Sequence, residues 1–199
     1  MRLLLVRHAE PQRASASPQD PELSALGRAQ AARVAGQLRR TGALEDATVY
    51  TSPMRRARET ASAIAAALDL PVHVDERLVE FDHGSDYLHF EDGAAVWDRY
   101  LAGDLTPWGT TLTAFATRVR SAAERLADRH PRQHVVAVCH GGVVNTWASQ
   151  VLGVPDRIRV MQPQYGSVSR FRRDAFGWAV ESLNEHWSTG VENDPSTGN

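Results

Sequence analysis

The chain has 199 residues, 42% of them hydrophobic and 23% charged, with a formal net charge of −2. That is enough for one sizeable core, and nothing in it forces a second domain. So even a charge balance lacks the basic footprint of a nucleic-acid or anionic-membrane binder, and no apolar run approaches the roughly 20 residues that cross a bilayer. All 22 basic residues are Arg, the better bidentate phosphate ligand. The single cysteine, Cys139, excludes an intrachain disulfide and suits a reducing compartment, so the expected location is cytoplasmic.

The chain opens on a short apolar run, Leu3-Leu4-Leu5-Val6, that stops at Arg7-His8-Ala9-Glu10. This reads as a buried strand delivering Arg and His at its carboxyl end, the edge where ligands bind in open α/β sheets. A polar, Pro-rich loop from Glu10 to Leu23 follows. Ser24 is placed to cap a helix whose Leu26, Ala29, Ala35 and Leu38 recur at helical spacing up to Thr41-Gly42. Thr48–Thr51 reads as a second strand, with Ser52-Pro53 expected to cap and start a helix through Ala57, Ala61, Ile64 and Leu68. Val72-His73-Val74 is a brief third strand.

From Glu80 to about Pro107 the pattern loosens, mixing Asp, Gly and His with Phe81, Tyr87, Phe90, Trp97 and Tyr100. We read residues 81–109 as an inserted loop-and-helix lid. An amphipathic helix is expected over about Thr110–Arg129. A strand over 134–139, Val135-Val136-Ala137-Val138-Cys139, ends in His140-Gly141-Gly142 and is followed by a helix expected from Gly142 to Val151. Ser167–Arg173 and Trp178–Leu183 flank Asp174-Ala175-Phe176-Gly177 as a terminal hairpin. The polar stretch 188–199 is expected to fray. Strands alternating with helices predict a three-layer α/β/α fold, one domain over residues 1–187 with a mostly parallel central sheet.

Two strand ends, each bearing a histidine, suit one anionic site. A phosphomonoester needs its dianionic head neutralised, an attacking group for phosphorus, and a proton for the departing alkoxide. His8 at a strand end can attack, since neutral imidazole is available near physiological pH. Arg7 keeps its charge and offers a fork of donors. Arg55, Arg56 and Arg58 begin the helix after the second strand, and at least one should reach the same edge. His140, if protonated, would donate to phosphoryl oxygens, and Gly141-Gly142 would let the backbone come close. A carboxyl is supplied from Glu80, Asp82 or Asp86, of which Glu80 lies nearest the third strand.

These elements together resemble the histidine phosphatase superfamily, which contains phosphoglycerate mutases and many small phosphatases. Arg7-His8-Ala9-Glu10 is similar to the signature Arg-His-Gly, with Ala9 standing where the Gly would be. Leu23–Ala31 resembles the Leu-Thr-x-x-Gly-x-x-Gln-Ala stretch. Ser52–Ala61 resembles Ser-x-Leu-x-Arg-Ala-x-x-Thr-Ala and sets Arg56 at the phosphate-binding position. Glu80-Phe81-Asp82-His83-Gly84 resembles the element carrying the proton donor, and His140-Gly141-Gly142 the second catalytic motif. The order is the family's, from residue 2 to about 150.

The resemblance implies a phosphoglycerate mutase-like fold and a phosphohistidine on His8. Glu80 would act as acid and then base, and Arg7, Arg56, His140 and Gly141 would hold the phosphoryl group. It calls for no metal and no organic cofactor. His83 and His89 show no ligand spacing that would suggest a metal site. The partner expected is a small phosphorylated substrate, with no nucleic acid and no membrane, and a homodimer is left open. A mutase-type transfer between two hydroxyls, or a non-catalytic phospho-ligand-binding regulator, are the alternative readings.

Overall fold

The computed structural model describes residues 1–42, 44, 46–89 and 95–187. Phe90 and the segment 188–199, for which the sequence predicts a lid aromatic and a frayed end, lie outside the described residues. Six strands, β1 (Arg2–Arg7), β2 (Thr48–Thr51), β3 (Val72–Val74), β4 (His134–Cys139), β5 (Val168–Asp174) and β6 (Gly177–Glu185), form one sheet in the order β3-β2-β4-β1-β5-β6. The pairings β3–β2, β2–β4 and β4–β1 are parallel; β5 and β6 add an antiparallel hairpin beside β1. The central sheet is therefore mostly parallel, as expected, with an antiparallel hairpin on one edge.

The helices are α1 (Ala25–Arg40), α2 (Arg55–Leu68), α3 (Val96–Leu101), α4 (Leu112–Arg129) and α5 (Gly141–Val151). β1 and β4 are apolar on both faces because both faces are covered. Leu3, Leu5, Val135 and Ala137 pack with Phe115, Val119, Leu126, Val143 and Trp147 of α4 and α5. Leu4, Val6, Val136 and Val138 pack with Val34, Leu38, Ala57 and Ile64 of α1 and α2. Each large apolar side chain taken out of water here contributes about 1.5–3 kcal/mol. Three layers follow from that alternation.

Helix starts show where local chemistry decides. The Ser24 hydroxyl accepts the Gly27 amide at 2.9 Å, so the predicted cap is in place, and Thr111 does the same for Ala114 at 3.1 Å. Ser52-Pro53 does not start α2: the helix begins at Arg55 with Met54 in the cap position and no side-chain cap. Ser52 is instead fully buried at the end of β2, its amide donating to the Val138 carbonyl at 2.9 Å. α5 begins one residue earlier than expected, at Gly141, and α4 two residues later, at Leu112.

The segment expected as a lid contains, among its described residues, α3 and a short 3₁₀ turn over Thr106–Trp108. Phe81 seats it: its ring stacks on Tyr100 at 5.1 Å and meets Trp108 and Phe115 edge-on at 4.8 and 5.6 Å. The parallel β1–β4 register pairs Arg7 with Cys139, and the His8 amide donates to the Cys139 carbonyl at 2.9 Å. His8 and His140 thus leave adjacent strands at one edge, and Ser52 brings the start of α2 to the same edge.

Candidate active site

Arg7, His8, Arg56, Glu80 and His140, read separately from the sequence, line one cavity of about 60 Å³. Their exposures are 8%, 2%, 0%, 7% and 1%, so the groups that would react are all withdrawn from bulk water. The two histidine rings lie 5.1 Å apart, centroid to centroid.

The His8 ring is held by its own backbone. Nδ1 lies 2.8 Å from the Ala9 carbonyl oxygen. A carbonyl can only accept, so the hydrogen is on Nδ1 and the lone pair on Nε2. Arg56 Nε donates to that lone pair at 3.2 Å. Burial above all, then the charges of Arg56 and Arg7, hold His8 well below the usual imidazole range, so the ring is neutral at physiological pH. Ala9 is itself fully buried beside Leu23 and Ala31, and its amide donates to Thr60 Oγ1 at 3.0 Å. Its φ is not positive, so the backbone there does not require the signature glycine.

Arg7 donates to the Pro163 carbonyl at 2.5 Å and lies 3.9 Å from the centre of the Tyr165 ring. Arg56 lies 4.4 Å from the centre of the Tyr87 ring, with Asp82 at 3.8 Å and Asp20 at 3.7 Å. The two tyrosine hydroxyls meet at 3.1 Å. Each arginine of the site therefore carries an aromatic cover, and the covers are joined. Arg55, by contrast, pairs with Glu22 and Glu59 at the surface, and Arg58 is exposed.

Glu80 enters from the lid side. Its Oε1 accepts the Phe81 amide at 3.1 Å and its Oε2 the Gly142 amide at 2.7 Å. Burial, with the Asp82 carboxylate second, lifts its pKa to about 7 against the pull of those two amides. A carboxyl near 7 can give and take a proton at neutral pH. Arg118 of α4 holds the approach to it, donating to the Arg77 and Val79 carbonyls at 2.9 and 2.7 Å.

His140 caps α5 and meets Ser52 Oγ through Nε2 at 2.8 Å. The sequence reading allowed a protonated His140. Burial first, then Arg56, His8 and Arg7, hold its pKa well below the usual range, which favours the neutral ring. Of the Gly141-Gly142 pair, Gly142 is the one that makes the close approach. A Cβ on Gly142 would come within 2.4 Å of Glu80 Oε1, whereas one on Gly141 would make ordinary contact with Arg7 at 3.5 Å. Gly141 lines the cavity as part of the helix start.

The sequence profile of the histidine phosphatase superfamily, branch 1, matches residues 3–186. The chain belongs to that superfamily. It is 33% identical over 171 residues to phosphoserine phosphatase 1 of Hydrogenobacter thermophilus, covering 77% of each chain. It is 30% identical to phosphoglycerate mutase-like protein 4 of Arabidopsis thaliana, over 90% of this chain and 83% of that one. In fold it matches a phosphoserine phosphatase variant from Entamoeba histolytica with a TM-score of 0.75 at 24% identity, covering 92% and 96%.

Other parts of the superfamily motifs have local reasons in this histidine phosphatase. Gln30 Oε1 accepts the Glu10 amide at 2.9 Å, and a Cβ on Gly27 would come within 2.0 Å of the Glu10 carbonyl oxygen. Both fix the chain as it leaves His8. Tyr87, Tyr165, Ser52 and Asn145 were not singled out as site residues from the sequence. Asn145 Oδ1 accepts the Val160 and Met161 amides at 2.9 and 3.1 Å, tying α5 to the loop that supplies Pro163 and Tyr165. The Ser52 motif position was the one available signal among these. Cys139, buried and with its thiol pushed up by burial, packs as a small apolar residue. No described helix is long and apolar enough to cross a membrane.

Proposed function

We propose that this histidine phosphatase is a metal-independent phosphomonoesterase acting through a phosphohistidine on His8. The observation that carries the reading is the His8 tautomer. Nδ1–H is spent on the Ala9 carbonyl, and the Nε2 lone pair sits beside Arg56 in a buried pocket. Arg7 and Arg56 supply the positive charge that a divalent cation would otherwise bring to a phosphoryl group.

In the first step His8 Nε2 forms a bond to phosphorus as the ester P–O bond breaks. The electron pair leaves on the alkoxide oxygen, which takes the Glu80 proton and departs as the alcohol. In the second, water attacks phosphorus and gives its proton to the Glu80 carboxylate. The N–P bond breaks back onto Nε2, releasing inorganic phosphate. Both steps need one group that is protonated and then unprotonated near neutrality, which a carboxyl near 7 provides. Arg7, Arg56 and His140 bind the phosphoryl oxygens throughout.

The substrate is a small phosphomonoester, consistent with the narrow cavity and its Phe81, Trp97 and Tyr100 wall. Phosphoserine is the first compound to try, given the name of the Hydrogenobacter relative. The test is turnover of p-nitrophenyl phosphate and phosphoserine in chelator, with alkaline trapping of a radiolabelled phosphoenzyme, in wild type and His8→Ala. Chelator-insensitive activity and a label that both vanish in the variant support the reading. Undiminished labelling of His8→Ala would overturn it.

A further inference from the structure

Ser52 is fully buried, and its hydroxyl has two neighbours: the Met54 amide at 3.3 Å and His140 Nε2 at 2.8 Å. The Met54 N–H can only donate, so Ser52 Oγ accepts it and needs an acceptor for its own hydrogen. His140 Nε2 is the acceptor at hand. If the imidazole instead carried its hydrogen on Nε2, two hydrogens would compete for one contact and the Ser52 O–H would be stranded in the core. The hydrogen of the neutral ring therefore lies on Nδ1. That atom is buried and has no hydrogen-bond partner among the described residues, although its ring lines the cavity with Arg7, Arg56 and His8.

We propose that Ser52 is a positioning residue that fixes the His140 tautomer, so that a neutral imidazole offers Nδ1–H to a phosphoryl oxygen. The assignment of that acceptor rests on the reading of the cavity as a phosphoryl site. Both histidines then carry hydrogen on Nδ1 and serve opposite ends. His8 spends its N–H on the backbone and keeps a lone pair for phosphorus, whereas His140 spends its lone pair on Ser52 and keeps an N–H for oxygen. A ring in the other tautomer would turn a lone pair toward an anion and repel it.

The test begins on the resting full-length protein, without turnover. Heteronuclear NMR of uniformly nitrogen-labelled wild type distinguishes the protonated from the unprotonated ring nitrogen of His140. Hydrogen on Nδ1 is expected; hydrogen on Nε2 would overturn the proposal. In Ser52→Ala the tautomers should mix, and vanadate affinity and kcat should each fall by about 10-fold or more, the loss expected when a donor to developing phosphoryl charge is weakened. KM should move less than kcat. Ser52→Thr, which restores the hydroxyl, should recover the wild-type tautomer and most of the vanadate affinity. A folded Ser52→Ala that keeps both would refute the positioning role. Failure of the phosphatase reading shows separately, as no labelling of His8 in a protein whose His140 tautomer is still as assigned.

Discussion

Glu80 Oε2 accepts the Gly142 amide at 2.7 Å, which ties the lid carboxyl to the first turn of the helix that His140 caps. The Glu80 carboxyl is thus held from across the cavity, by the backbone of the helix that His140 begins. A Cβ at position 142 would meet Glu80 Oε1 at 2.4 Å and Phe81 at 2.8 Å. Gly142→Ala should displace the carboxyl and leave the two arginines in place. Misplacement on this scale costs about 100-fold, so kcat on alkyl phosphates should fall by about that factor while vanadate affinity changes little. An enzyme as active as wild type would show that Glu80 is not fixed by this contact.

Glu80→Gln separates the two steps. p-Nitrophenolate leaves without help, so the variant should still release a burst of it before stalling at the phosphoenzyme. On an alkyl ester the proposed mechanism needs Glu80 as acid in the first step and as base in the second, and turnover should drop by about 10²–10⁴. Stopped-flow traces that lose the burst as completely as the steady state would assign the proton transfer elsewhere.

Asp82 acts on Glu80 by charge. Its carboxylate is the second cause, after burial, of the pKa near 7. In the proposed mechanism the first step uses protonated Glu80, so the rate on an alkyl ester should fall as pH rises through that value. Asp82→Asn removes the like charge and should move the fall to lower pH. A pH–rate profile unmoved by the substitution would show the two carboxyls to be independent.

Stability should depend on pH with two opposed slopes. Glu80 has its pKa raised from 4.5 to about 7 on folding. Between those values the native state holds a proton that the unfolded chain releases, so stability falls with rising pH, by about 3 kcal/mol across the window. His8 and His140 have lowered pKa values. Below their ordinary value of 6.5 the unfolded chain takes protons that the native rings refuse, and stability falls with falling pH. Urea denaturation across pH 5–8 should show the alkaline decline flattened in Glu80→Gln and the acid decline flattened in His8→Ala. Parallel curves for wild type and both variants would contradict the buried, neutral state of these groups.

Much of this was legible in the residues because periodicity and termination coincide. β1 and β4 are short apolar runs, and Arg7, His8 and His140 sit where those runs stop, while Arg56 lies in the first turn of the helix that follows β2. Glu80 was reachable because it is the first carboxyl after β3. Loops escaped the reading. Tyr87 and Tyr165 meet over the arginines only because of the paths of two aperiodic segments, and no spacing encodes such a meeting. Ser52-Pro53 has the composition of a helix start, yet the Ser52 hydroxyl is taken by the Met54 amide and His140, and α2 begins later. Tertiary demand outweighed local preference there. The lowering of the His140 pKa was equally out of reach, since it follows from burial and then from Arg56, His8 and Arg7.

The strand order has a consequence for how the molecule comes to exist. β1 and β2 are separated in the sheet by β4, which is made much later and must slide between them. A nascent chain extending to Arg129 already carries Arg7, His8, Arg56 and Glu80 and can pack α1 on α2, but it lacks the strand that pairs with both β1 and β2. Non-local parallel pairing of this kind is a slow event in folding. Because β4 pairs with both β1 and β2, it is the strand that sets His140 beside His8, so the two-histidine edge exists only in the completed central sheet.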